Sequence, residues 1–223
     1  MLKLGMFISD AQWEVLKPVL EVPKSSVYGR PRANAREVFE AILFILHTGI
    51  QWKYLPKTFP PKSTVHDYLQ FWSTQQAFRK LLALVIRQLV QQGRVDLQQC
   101  FVDATFAAAK GGGEAVGLTR KGKGTKIQLV VDAKGIPLAV SLDAADRAES
   151  HMVQQTLAWD ENEIQPERLI GDKAYDCDAL DDALAELGNH RRLLTRWEKH
   201  LSNFSSFTLL GCLMLTLRHL PFS

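Results

Sequence analysis

The sequence predicts an α+β, mixed α/β protein: an all-helical N-terminal segment over residues 1–95, helix-turn-helix-like, and a mixed sheet with helices over residues 96–223. Three observations carry this. Apolar residues recur at helical spacing through the first ninety positions, and the period changes to two beyond residue 100. Two short apolar runs, Cys100–Phe106 and Leu169–Asp176, each bring one aspartate, Asp103 or Asp172, to a strand end.

In chain order, Ser9 with Gln12 forms a capping-box pattern that opens a helix through Lys17, ending around Pro18. Val22–Arg32 reads as a loop broken by Pro23, Gly29 and Pro31. Asn34 with Glu37 opens a second helix that stops at Gly49. After the Pro-punctuated stretch Gln51–Pro61, Ser63 caps a helix through about Trp72, and Phe78–Gln91 forms another, ending at Gly93. On the Ser63 helix the outward positions Thr64, His66, Asp67 and Gln70 suit either contact with DNA or a solvated bundle face.

Beyond Asp103, Lys110–Lys126 reads as a Gly- and Lys-rich linker. It is expected to be a flexible cationic arm for a polyanion, or else a solvated β-connection. Ile127, Leu129 and Val131, a turn at Asp132–Gly135, and Ile136, Leu138, Val140 and Leu142 make a hairpin pattern. A helix over about Glu149–Trp159 precedes the strand ending at Asp172, and another spans about Asp178–Leu187. His190–Leu217 reads as one long helix with an apolar stripe of Leu194, Trp197, Leu201 and Phe204 and a basic start.

Composition excludes little but narrows the setting. The chain of 223 residues, 46% hydrophobic and 23% charged, is long enough to bury a core. A net charge of +3 permits a nucleic-acid partner without demanding one. Three scattered cysteines with no CxxC argue against a disulfide framework or zinc site and for a reducing, cytoplasmic setting. The start has no apolar region suited to a signal peptide. The most apolar stretch, Phe204–Leu217, is shorter than the ~20 residues of a membrane span, which favours a buried helix.

If the two aspartate-bearing strands are neighbours, Asp103 and Asp172 emerge at one edge. Two carboxylates held close repel, and a hard divalent cation relieves that repulsion. The competing reading is that both are ordinary turn and cap residues. No HxH or HExxH spacing supports zinc chemistry.

At these residues the chain resembles the DDE transposases of bacterial insertion sequences, in the group that includes insertion sequences four and five. The helical part carries Gly29-Arg30-Pro31-Arg32, Thr48 through Pro56 (TGIQWKYLP) and Ser63-Thr64-Val65. The middle carries Val102 through Phe106 (VDATF), Gly122 through Lys126, Ala148-Glu149-Ser150-His151 and Gly171 through Asp176 (GDKAYD). The tail carries Gly188 through Glu198. The resemblance implies a ribonuclease H-like core that cuts and rejoins DNA at element ends with Mg2+ or Mn2+. Asp103 and Asp172 match the first two catalytic, metal-binding acids.

Candidate DNA contacts in the helical segment are Arg30, Arg32, Lys53, Lys62, Thr64, His66 and Gln70. The linker adds Arg120, Lys121, Lys123 and Lys126, and the tail adds Arg191, Arg192 and Arg196.

The resemblance also shows a departure. The third acid, a glutamate on a later helix, should precede the Gly-Asn-His-Arg-Arg stretch, but here Ala183–Glu186 runs almost directly into Leu187–Arg192. An internal deletion near residues 186–189 accounts for this. Glu149, Glu186 and Glu198 are the candidates for a substitute. The expectation is a transposase by descent, inactive in this copy, or a non-catalytic DNA-binding regulator that inhibits full-length enzyme, alone or in mixed oligomers. The deletion is also expected to leave a sheet edge uncovered and the final helix without its usual dock.

Overall fold

The computed structural model describes residues 7–21, 32–148, 152, 156, 166–171 and 178–221. The Val22–Arg32 loop, Arg32 excepted, therefore lies outside the described residues, as does all of the Glu149–Trp159 helix but Met152 and Thr156, both helical.

Four helices open the chain: α1 (Asp10–Leu20), α2 (Ala35–Thr48), α3 (Lys62–Thr74) and α4 (Ala77–Gln91). The α1 capping box forms, with Ser9 Oγ accepting the Gln12 N–H and Gln12 Oε1 accepting the Ser9 N–H. The helix does not stop at Pro18 but runs on to Leu20. Proline removes only one donor in this last turn, and the turn is held by buried Leu20, whose carbonyl accepts the Trp72 indole N–H. Asn34 caps α2 as expected, and Gly49 closes it with φ +68°. For α3 the expected Ser63 cap is displaced: Pro61 holds the N-cap position, so Lys62 is already helical. Trp72 is the centre of the packing, edge-on to Phe39, Tyr68 and Phe78.

The sheet comprises β1 (Cys100–Ala109), β2 (Gly117–Thr119), β3 (Gly122–Asp132), β4 (Pro137–Ala144), β5 (Leu169–Gly171) and β6 (Thr195–Arg196). Its path is β2-β3-β1-β5, with β4 also on β3 and β6 also on β1. The expected hairpin is β3–β4, closed by Asp132, whose Oδ1 accepts the N–H groups of Lys134 and Ile136. The stretch Lys110–Lys126 is not a free arm. Its second half folds back as β2 on β3, pairing Gly117 with Gly124. β5 ends the path, and no described strand pairs with its outer side.

The remaining helices are α5 (Asp178–Gly188), the single turn α6 (Arg191–Leu194) and α7 (Leu201–Leu217). The expected single helix over His190–Leu217 is therefore broken. Between α6 and α7 the chain extends as β6 and pairs in parallel with Ala108 and Ala109 of β1. Consequently Leu194 and Trp197 are 53% and 46% exposed, whereas Phe204 is fully buried. The proposed stripe does not exist as one face.

Helix α7 finds its dock inside the molecule. It is buried on nearly every side and packs on α4, α3, β4 and α5. One hydrophobic cluster runs from Ile8 through Leu220, so the helical segment and the sheet share a core across residue 95. No described helix is long and apolar enough to cross a membrane.

Candidate catalytic strand and cationic surfaces

Asp103 lies within β1 rather than at its end, because the strand continues to Ala109. It is exposed, opposite Leu129 of β3, and its Oδ1 accepts the Ala104 N–H at 2.6 Å. On the other side of β1, β5 runs parallel with Cys100 opposite Leu169, Phe101 opposite Ile170 and Val102 opposite Gly171. The two neighbouring strands thus align the residue before Asp103 with the residue before Asp172. Asp172 itself lies outside the described residues, as do Glu149 and Arg30. Among the described residues no group of three or more His, Cys, Asp or Glu side chains is placed to hold a metal ion.

The other two glutamates are engaged elsewhere. Glu186, exposed on α5, pairs with Arg218. Glu198 is buried with Arg192, at side-chain exposures of 4% and 3%. Its Oε1 accepts from Arg192 Nε at 2.7 Å, and its Oε2 accepts the Trp197 N–H at 3.2 Å. Arg192 also donates to the Ile50 carbonyl and lies over the Phe207 ring.

This corrects the reading of the basic tail. Arg192 and Arg196 are not surface cations available to DNA. Arg196 is 1% exposed and donates to Thr125 Oγ1 at 2.6 Å and to the carbonyls of Ala115, Glu198 and Lys199. Burial lowers the pKa of its guanidinium, opposed by the charges of Glu198 and Glu114. Only Arg191 of the three is exposed. A long guanidinium that finds several carbonyls is as well satisfied inside a protein as on a phosphate, and sequence does not distinguish the two.

The α3 face is engaged within the molecule in part. Gln70 donates to Asn203 of α7 at 2.5 Å, and Ser73 donates to the Ser202 carbonyl at 3.4 Å. His66 is edge-on to Trp52, which in turn meets Phe207. Gln70 thus ties α3 to α7, His66 packs on Trp52, and Thr64, His66 and Gln70 are all half-buried. Lys62 remains exposed on the first turn, Lys53 sits over the ring of Tyr54, and Arg32 is exposed. Helices α2 and α3 are separated by a long connection with a 3-10 turn at Trp52–Tyr54, whereas α3 and α4 are joined by a short turn of Gln75 and Gln76.

The third cationic surface is on the β2–β3 hairpin. Arg120, Lys121 and Lys123 are exposed, and Lys126 is half-buried with its Nζ donating to the Arg147 carbonyl at 2.9 Å. With Ala104, Thr105, Phe106, Thr119 and Ala145, three of them (Arg120, Lys121 and Lys126) line a groove of about 450 Å³. Phe106 was missed as part of it, and Gly124 as the residue its ring lies against. A glycine inside an otherwise alternating strand is the available signal, because it marks close approach of another group.

A sheet with an antiparallel β1–β3–β4 unit, a parallel fourth strand on β1 and an exposed aspartate on the central strand defines a ribonuclease H-like core behind a helical N-terminal part. Residues 96–207 match the family described as "Transposase DDE domain", and residues 8–82 match "Putative transposase of IS4/5 family". The chain belongs to the DDE transposase family. It is similar to the insertion element IS402 uncharacterized 16.2 kDa protein of Burkholderia cepacia, with 29% identity over 117 residues, half of this chain and 80% of that protein. No solved structure matches.

Proposed function

We infer that this chain is a transposase by descent that binds insertion-sequence-end DNA but does not complete cleavage and strand transfer. The observation that carries this is the engagement of Glu198 and Glu186: the first is buried against Arg192, the second paired with Arg218. Neither carboxylate is left to join Asp103 and Asp172. Catalytic acids of this kind act as a unit, so losing one removes charge and geometry together.

The donor set fits a divalent cation in part. Asp103 is an exposed carboxylate with no ion pair among the described residues, and Mg2+ is commonly held by one or two carboxylates plus substrate phosphate oxygens. Asp103 and Asp172 would hold it, and the ion, when bound, would polarise a phosphodiester and lower the pKa of an attacking hydroxyl. With Asp103 and Asp172 as its only carboxylate ligands, Mg2+ or Mn2+ would be held weakly.

A cleavage assay on DNA carrying the element ends, with Mn2+ supplied, tests this reading. The expected result is no strand transfer by the wild-type chain. Strand transfer that Asp103→Asn abolishes would overturn it.

A second reading, a non-catalytic regulator of a full-length enzyme, is favoured by the exposed cations Arg32, Lys53, Lys62, Arg120, Lys121, Lys123 and Arg191. Retarded migration of end-bearing duplex without cleavage supports it, and no binding at low salt defeats it.

A further inference from the structure

Resting on the reading of this chain as a DNA-binding transposase relative, we propose that the groove between β1 and the β2–β3 turn is a binding site for single-stranded DNA. Three observations point there. The first is size. A concavity of about 450 Å³ is in the range of small-ligand pockets, fitting one or two nucleotides of a single strand and far too small for a duplex.

The second is charge. Arg120 and Lys121 line the groove from the turn and are exposed, so they meet a phosphodiester backbone without leaving an ion-pair partner among the described residues. Lys126 stands at the inner side, its Nζ on the Arg147 carbonyl. The third is an aromatic face. Phe106 lies across Gly124, where a Cβ would overlap its ring and come within 2.6 Å of the Ala107 carbonyl oxygen. The glycine therefore lets the ring lie against the strand and line the groove, where a base can stack on it. A cationic rim with an aromatic floor is the combination that binds unpaired nucleotides with little sequence preference.

The hairpin is also anchored rather than loose. Thr125 donates to the Ala115 carbonyl at 2.7 Å, and Arg196 reaches both residues from the C-terminal segment. The groove begins at Ala104, the residue after Asp103, so the site lies beside the strand that carries the candidate acid.

The test is fluorescence anisotropy of the full chain with a labelled oligothymidylate and, separately, with an element-end duplex, over a series of salt concentrations. The expected result is that Arg120→Ala/Lys121→Ala weakens oligothymidylate binding on the order of tenfold and lowers its log–log salt slope by about 1.4, at about 0.7 per lost contact. Duplex binding is expected to change much less. Phe106→Leu is expected to weaken oligothymidylate binding at least fivefold with an unchanged slope, because it removes stacking and not charge. Circular dichroism on each variant separates these effects from unfolding.

The proposal is overturned if the wild-type chain does not bind oligothymidylate, if the double variant binds it as the wild type does, or if single-stranded and duplex binding fall together. Binding of oligothymidylate without binding of end-bearing duplex would sink the proposed function and leave the groove assignment standing.

Discussion

Replacing Glu198 by glutamine tests whether this carboxylate is a structural partner or a catalytic one. The substitution keeps the shape of the side chain and removes its charge. In the wild-type fold the carboxylate bridges the Arg192 guanidinium and the Trp197 N–H at a point where both charged side chains are less than 5% exposed. Removing one partner of a buried ion pair leaves the other charged and desolvated, at a cost of about 3–5 kcal/mol. The glutamine amide retains one acceptor oxygen, which places the expected loss near the lower end, about 3 kcal/mol. For a chain of this length that lowers Tm by roughly 6–12 °C. Thermal unfolding followed by far-ultraviolet circular dichroism measures it directly. The paired variant Arg192→Met/Glu198→Leu should recover most of the loss, because it removes both charges and keeps apolar volume over Phe207. A melting point for Glu198→Gln within about 2 °C of wild type would refute the buried-pair argument. Loss of metal-dependent cleavage at unchanged Tm would go further, identifying Glu198 as the third acid.

Two other outcomes follow from the packing. His190 is 8% exposed with neither ring nitrogen hydrogen-bonded, and burial, then the charges of His47 and Arg218, lower its pKa to about 4. The unfolded chain takes up this proton near pH 6.5 and the folded chain only near 4, so stability present above pH 6.5 is lost as pH falls toward 4, by about 3 kcal/mol. Urea midpoints at pH 7 and pH 5 should differ more for the wild type than for His190→Leu, and equal differences would contradict the assignment. Gly124→Ala should destabilise the fold by about 2 kcal/mol, since the new methyl meets the Phe106 ring and the Ala107 carbonyl. Chemical denaturation checks this, and an unchanged midpoint would show that the ring moves freely.

Much of the fold is written locally. Ser9 with Gln12 and Asn34 with Gly49 mark helix ends through side-chain and backbone geometry within four residues, and they form as the pattern indicates. The alternation through Ile127–Leu142 similarly specifies a hairpin, because one face of each strand must be buried. What escaped was nonlocal. The tail Arg191–Lys199 has helical spacing, yet β6 gains backbone pairing from Ala108 and Ala109, which lie far away in the chain. Its arginines look like a surface stripe until Thr125, Ala115 and Glu198 are brought around them.

By itself the sequence determined the helical start, the hairpin, the two aspartate-bearing strands and the family motifs they carry, since caps, period and motif spacing are short-range properties. Only the tertiary structure decided which polar residues face outward. It turned Gln70, Arg192, Arg196 and Glu198 into internal partners and left Arg120 and Lys121 on a groove beside Phe106. The physical reason is that a charged or amide side chain is satisfied equally by a phosphate, by water or by a carbonyl from a distant segment. Packing alone selects among them.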